Sequence, residues 1–153
     1  MPQLIRFGFL SWVILCSSVP VWADDAEDKA VAFVEKLRGR VTRDENAPGK
    51  PVITVNLGGT TVTDAGLKEL AGLKSLSTLY LDSTKVTDAG VKELAGLKNL
   101  TALDLFNTQV TDAGLKELAG LKNLTTLFLS NTQVTDAGVR ELKQALPNCQ
   151  IVK

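Results

Sequence analysis

Two carboxylates and three aromatic rings, Asp82, Asp104, Tyr80, Phe106 and Phe128, fall within one stretch of some fifty residues. They occupy alternate positions in three short segments, Thr78-Leu-Tyr80-Leu-Asp82, Ala102-Leu-Asp104-Leu-Phe106 and Thr126-Leu-Phe128-Leu-Ser130. Paired carboxylates could work as a general acid and base or hold a cation. Exposed rings among polar groups are the usual make-up of a contact surface. Strict alternation with leucine marks each segment as a strand with one buried face, so the intervening residues share the other. With strands about 4.8 Å apart and a two-residue offset of about 6.8 Å, Asp82 and Asp104 attach roughly 8 Å apart. That spacing falls in the range of an inverting glycosidase. An open sheet, however, offers no cleft to desolvate a carboxylate, so neither catalysis nor a metal site is expected from the pair.

Composition removes other chemistries. The 153-residue chain has no histidine, which excludes Ser-His-Asp and Cys-His nucleophiles and every histidine-based metal site. No cofactor site is expected. Basic and acidic residues balance at 17 each, so the chain lacks the electrostatic footprint of a nucleic-acid binder. Asn99-Leu-Thr101 and Asn123-Leu-Thr125 match the glycosylation acceptor pattern, but both recur at one position of a repeat and are read as frame residues.

The repeat has a period of 24: Thr-Asp-Ala-Gly starts at Thr63, Thr87, Thr111 and Thr135, and Ala-Gly-Leu-Lys at Ala71, Ala95 and Ala119. In the first unit the apolar residues are Leu67, Leu70, Leu73, Leu76, Leu79, Leu81 and Val86. Leu67, Leu70 and Ala71 follow helical spacing, with Thr63 placed as an N-cap and Asp64 at the positive end of the helix dipole. Gly72 is expected to end that turn in a left-handed conformation. The blocks Thr87–Val110 and Thr111–Val134 differ at four positions. One, Val91/Leu115, is a conservative core exchange. The other three, Ala102/Thr126, Asp104/Phe128 and Phe106/Ser130, all lie on the solvent side of the strand. Outer residues such as Lys92/Lys116 and Glu93/Glu117 are unchanged, so the variation concentrates on one face.

This frame, L-x-x-L-x-L-x-x-(N/C)-x-L, lies within the 20–29-residue range of leucine-rich repeats. From Val52 to Val152 the chain resembles short exported bacterial leucine-rich repeat proteins of a ribonuclease-inhibitor-like class. The column usually held by Asn or Cys is here Thr60, Thr84, Thr108 and Thr132, whose hydroxyls both donate and accept at the bend. The resemblance implies an α/β fold: a right-handed βα solenoid with a parallel concave sheet and short convex helices. One unit cannot bury its own leucines; stacked units bury them against each other.

Both ends read as caps. Asp24–Arg38 has helical apolar spacing and is ended by Gly39. Arg40–Arg43 and Val52–Leu57 flank the turn residues Asn46-Ala47-Pro48-Gly49 as a hairpin or looped lead into the first repeat strand. At the far end one inserted residue brings Cys149 to a leucine position, where it is expected to fill space as a buried thiol. Ahead of the caps, Arg6, the apolar run Phe7–Cys16 and Val21-Trp22-Ala23 have the order of a secretory signal peptide cut before Asp24. Phe7–Ala23 is shorter than a membrane span and is interrupted by Ser and Pro. A lipid anchor at Cys16 is disfavoured by Leu15 beside it. Cleavage at Ala23 would leave one cysteine and hence no intramolecular disulfide. The expected organisation is a signal peptide (1–23), a helical cap (24–50) and a repeat domain (51–153) with a terminal cap from about 135.

The functional expectation is a non-enzymatic binding module in the cell envelope or outside the cell. Its concave face would carry Thr78, Tyr80, Asp82, Asp104, Phe106, Thr126, Phe128 and Ser130. Four to five strands give roughly 400–500 Å², against about 800 Å² per partner in a standard interface. The expected ligand is therefore a protein or peptide segment, with a glycan chain as a further option. The alternative is an envelope-associated protein whose repeats self-associate.

Overall fold

The computed structural model describes residues 25–153. The expected signal segment 1–23, with its alternative anchor Cys16, and Asp24 lie outside the described residues. Helix α1 (Asp25–Lys36) leads into strand β1 (Arg40–Arg43) and strand β2 (Val52–Asn56), which pair antiparallel as a hairpin. Strands β3 (Thr78–Tyr80), β4 (Ala102–Asp104), β5 (Thr126–Phe128) and β6 (Gln150–Val152) then follow, each parallel to the one before. The sheet order is the chain order, β1 to β6. Between strands run a 3-10 helix (Asp64–Gly72), then α2 (Asp88–Glu93), α3 (Asp112–Leu118) and α4 (Asp136–Ala145). The α/β solenoid expected from the 24-residue period is the observed fold, with one more strand at its far end than the alternation alone predicts.

The core is a leucine stack between sheet and helices. All seven apolar positions of the first unit, from Leu67 to Val86, are fully buried, and their equivalents in the next two units, Val91 to Val110 and Leu115 to Val134, are buried with them. Cys149 is fully buried at its leucine position. Burial pushes its thiol upward, with Lys143 opposing, which favours the inert protonated form. The threonine column closes the bend as expected: the hydroxyls of Thr60, Thr84, Thr108 and Thr132 donate to the carbonyls of Leu57, Leu81, Leu105 and Leu129 at 2.6–2.7 Å.

Three local expectations are corrected. Gly72 does not adopt positive φ; within the repeats the residues that do form a different column, Gly59, Ser83, Asn107 and Asn131. Gly72 instead lets α1 approach, since a Cβ there would lie 2.5 Å from the Ala26 carbonyl oxygen. At the end of α1, Arg38 takes the left-handed position (φ 61°) expected of glycine. Its amide donates to Glu35 O and that of Gly39 to Val34 O, the two bonds of a Schellman cap. Gly39 is needed one residue later, where a Cβ would meet Asn56 O at 2.7 Å. Finally, Thr63 makes no side-chain capping bond, whereas Thr87, Thr111 and Thr135 do.

The aspartates of Thr-Asp-Ala-Gly do more than favour a dipole. The carboxylate of Asp64 accepts the amide and the hydroxyl of Thr87 in the next unit at 2.8 and 2.7 Å. Asp88 receives Thr111 and Asp112 receives Thr135 in the same way. The glycine of each motif makes room: a Cβ on Gly90, Gly114 or Gly138 would fall 2.2–2.5 Å from Oδ1 of Asp64, Asp88 or Asp112. In the first unit, which has no preceding aspartate, the ring of Phe33 from α1 occupies the equivalent space over Gly66. Other rungs run along the coil. Asn99 and Asn123 donate side-chain amides to Lys74 O and Lys98 O, and Thr101 and Thr125 donate hydroxyls to Ser77 O and Thr101 O. Both residues of each acceptor-pattern triplet thus serve the frame.

Candidate recognition face

Strand register aligns the outward residues into columns. The first runs Thr54, Thr78, Ala102, Thr126 and Gln150. The second runs Asn56, Tyr80, Asp104, Phe128 and Val152. The amides of Ser83 and Asn107, which donate to Phe106 O and Ser130 O, extend the alignment to a third column of Gly58, Asp82, Phe106 and Ser130. All eight residues singled out from the sequence therefore lie on one sheet face, opposite the helices.

Exposure sorts them by role. Tyr80, Phe106 and Phe128 are 37–44% exposed despite their size. Thr78, Asp82, Asp104, Thr126 and Ser130 are partly buried, forming a floor around the rings. Val152, at 37% exposure beside Phe128, extends the apolar surface. Val152 and Gln150 were hidden in the sequence because the inserted residue shifts Leu146 and Cys149. The one available signal was that Ile151 still follows Leu127 by 24. Across the hairpin Arg40 and Thr42 pair with Asn56 and Thr54, so Arg40 is the cation at the cap edge of this face.

The carboxylates are held differently. Asp104 Oδ1 accepts the Phe106 amide at 2.8 Å, as Asn56 Oδ1 accepts that of Gly58 at 3.0 Å, each closing its own strand end as an Asx turn. Asp82 leans over Gly58, where a Cβ would lie 2.2 Å from its Oδ1. Partial burial raises the Asp104 carboxyl above its ordinary value; the Phe106 amide works against this, and the charge of Asp82 adds to it. Among the described residues neither carboxylate forms an ion pair. Both remain open to water on a sheet surface. A hollow of about 460 Å³ beside the cap, lined by residues including Lys36, Arg38, Gly58 and Thr60, reaches neither of them. Among the described residues no group of three or more Asp, Glu or Cys side chains converges as a metal site. No described helix is long and apolar enough to cross a membrane.

The rim following the second and third columns is ordered by side-chain bonds between units. Asn131 donates to Asn107 Oδ1, and Asn107 to Ser83 Oγ at 3.4 Å. All three have positive φ, a conformation that Asn tolerates better than most side chains.

Matches to two family models agree with this architecture. Residues 98–148 match a family model described as leucine-rich repeats in two copies, and residues 72–95 match one described as a leucine-rich repeat. Both describe repeats rather than a catalytic domain. No curated protein matches the chain. Among solved structures, a leucine-rich repeat protein of Leptospira interrogans is 32% identical over 56% of this chain and 21% of its own, with a TM-score of 0.46. An internalin from Listeria monocytogenes is 26% identical over 66% of this chain and 34% of its own, with the same TM-score of 0.46. A second Listeria monocytogenes internalin is 22% identical over 88% of this chain and 65% of its own, also at 0.46. The chain thus spans a fifth to a third of the length of the first two. Leucine-rich repeats are matched over residues 72–95 and 98–148.

Proposed function

We propose that this chain is an exported, non-enzymatic binding module that holds an extended protein segment on its concave sheet. The observation that carries this reading is the coincidence of two independent patterns. Three of the four differences between the 24-residue blocks Thr87–Val110 and Thr111–Val134 fall in the outward columns. The same columns hold the large exposed rings Tyr80, Phe106 and Phe128. A frame conserved for packing beneath a face that changes composition is how a repeat scaffold supports recognition. Rings supply contact area with little entropy to lose.

Size supports a segmental ligand. Six strands about 4.8 Å apart and side chains over some 20 Å give roughly 500 Å², short of the about 800 Å² that a globular partner would use. Export rests on the order of charge, apolar run and small residues in 1–23, and places the face in the cell envelope or beyond it. The test replaces Tyr80, Phe106 and Phe128 together with Ser. Those side chains lie outside the leucine stack, so thermal unfolding should shift by only a few degrees, while capture of the wild-type partner from the native envelope should fall at least tenfold. Undiminished capture by a folded triple variant would refute the assignment of this face.

A further inference from the structure

The centre of the recognition face has a charge pattern that narrows its ligand. Strands β3 and β4 present Tyr80 and Asp82 beside Asp104 and Phe106. Register sets Tyr80 next to Asp104 and Asp82 next to Phe106, so the four side chains form a checkerboard. The carboxylates stand on one diagonal and the rings on the other. Their attachment points are roughly 8 Å apart along each diagonal, with the Asp82 carboxylate leaning over Gly58 on the β2 side and Asp104 Oδ1 accepting the Phe106 amide.

Among the described residues the two carboxylates form no ion pair. Arg40 lies at the β1 edge, beyond β2 from Tyr80. Their charges also oppose each other, since Asp82 helps to raise the Asp104 carboxyl. A cation between them would relieve that repulsion and gain charge-assisted hydrogen bonds. The rings beside it contribute the attraction of their negative faces, an interaction that holds within about 6 Å. Next along β5 and β6, Phe128 and Val152 continue as apolar surface without charge.

We infer that the segment bound on this face carries a lysine or arginine seated among Tyr80, Asp82, Asp104 and Phe106, with an apolar side chain of the same segment covering Phe128 and Val152. This rests on the proposed concave-face reading and adds the chemistry of the ligand. An ammonium or a guanidinium complements the two carboxylates, whereas an anionic segment would meet their like charge.

The test uses three synthetic peptides of one length, Ser-Val-Ser-X-Ser-Val-Ser with blocked ends, where X is lysine, its neutral isostere norleucine, or glutamate. Each is titrated into the isotopically labelled full chain and followed by amide NMR. The lysine peptide should perturb the amides of residues 80–82 and 104–106 and bind at least tenfold more tightly than the norleucine peptide. The glutamate peptide should bind more weakly still. Asp82→Asn with Asp104→Asn should erase the preference for lysine while leaving the norleucine affinity in place. Equal binding of lysine and norleucine peptides on those residues would overturn the cationic seat and keep the concave-face reading. Perturbations confined to the helical side with every peptide would overturn both.

Discussion

The residue that most changes the account of stability is the aspartate of Thr-Asp-Ala-Gly. Its position suggests a helix-dipole partner, worth a fraction of a kcal/mol at a surface. The structure gives it two hydrogen bonds to the threonine of the following unit. For Asp112, the hydroxyl of Thr135 and then its amide hold the carboxyl below the ordinary carboxylate value, with Lys153 and Lys116 assisting. Asp136, which pairs instead with Lys153, is lowered by that bond and charge. A folded-state value below the unfolded one, about 3.9 for Asp, contributes stability that is present above it and lost as pH falls through the folded value. Urea midpoints of the wild type should therefore drop as pH falls below about 4. Asp112→Asn should be less stable than wild type at pH 7, and the difference should shrink as pH falls through the folded-state value. A difference constant over that range would show that Asp112 does not act through its charge. The sequence showed the aspartate of the motif, read at Asp64, only as a first-turn acid because its partner is 23 residues away.

At the scale of the element, Thr-Asp-Ala-Gly works as an interlock between consecutive units. Threonine caps its own helix and donates to the aspartate before it, aspartate reaches to the next threonine, and glycine leaves space for the incoming carboxylate. This explains a glycine inside each of α2, α3 and α4, where Ala would be preferred by about 1 kcal/mol on propensity alone. Gly114→Ala should nevertheless destabilise by about 1–3 kcal/mol, as overpacking of a close contact does. Adding Asp88→Ala, which removes the obstructing carboxylate, should make the pair of changes cost less than their sum. Chemical denaturation of the two single variants and the double variant checks this, and stabilisation by Gly114→Ala would contradict the interlock. Element types were legible from the period-2 and helical spacing of the leucines. The left-handed positions were not. Gly72 matched the usual signal for a helix end, but the close approach of α1 uses it instead. At Arg38 the same competition runs in reverse: the tight contact claims Gly39 and leaves the strained conformation to its neighbour.

For the whole molecule, the leucine frame made the solenoid legible, and strand alternation made nearly the whole of the candidate face legible with it. Tyr80, Asp82, Asp104, Phe106 and Phe128 are adjacent because parallel strands one unit apart stack in register. Val152 and Gln150 escaped because an insertion ahead of Cys149 breaks the count for part of one unit. Arg40 escaped because only the antiparallel hairpin brings it beside Asn56. None of these departures moves the face; they lengthen it at both ends and give it a cationic edge. The remaining question is whether ligands meet this face or the regular Lys and Glu rows of the helical side. A photo-activated cross-linking residue placed singly at Tyr80, Phe106 or Phe128, and in parallel at Lys92 or Lys116, answers it in the native envelope. The account predicts adducts of one common mass from the three sheet positions and none from the two helical ones. Adducts from the helical positions alone, or adducts only between copies of this chain, would contradict it.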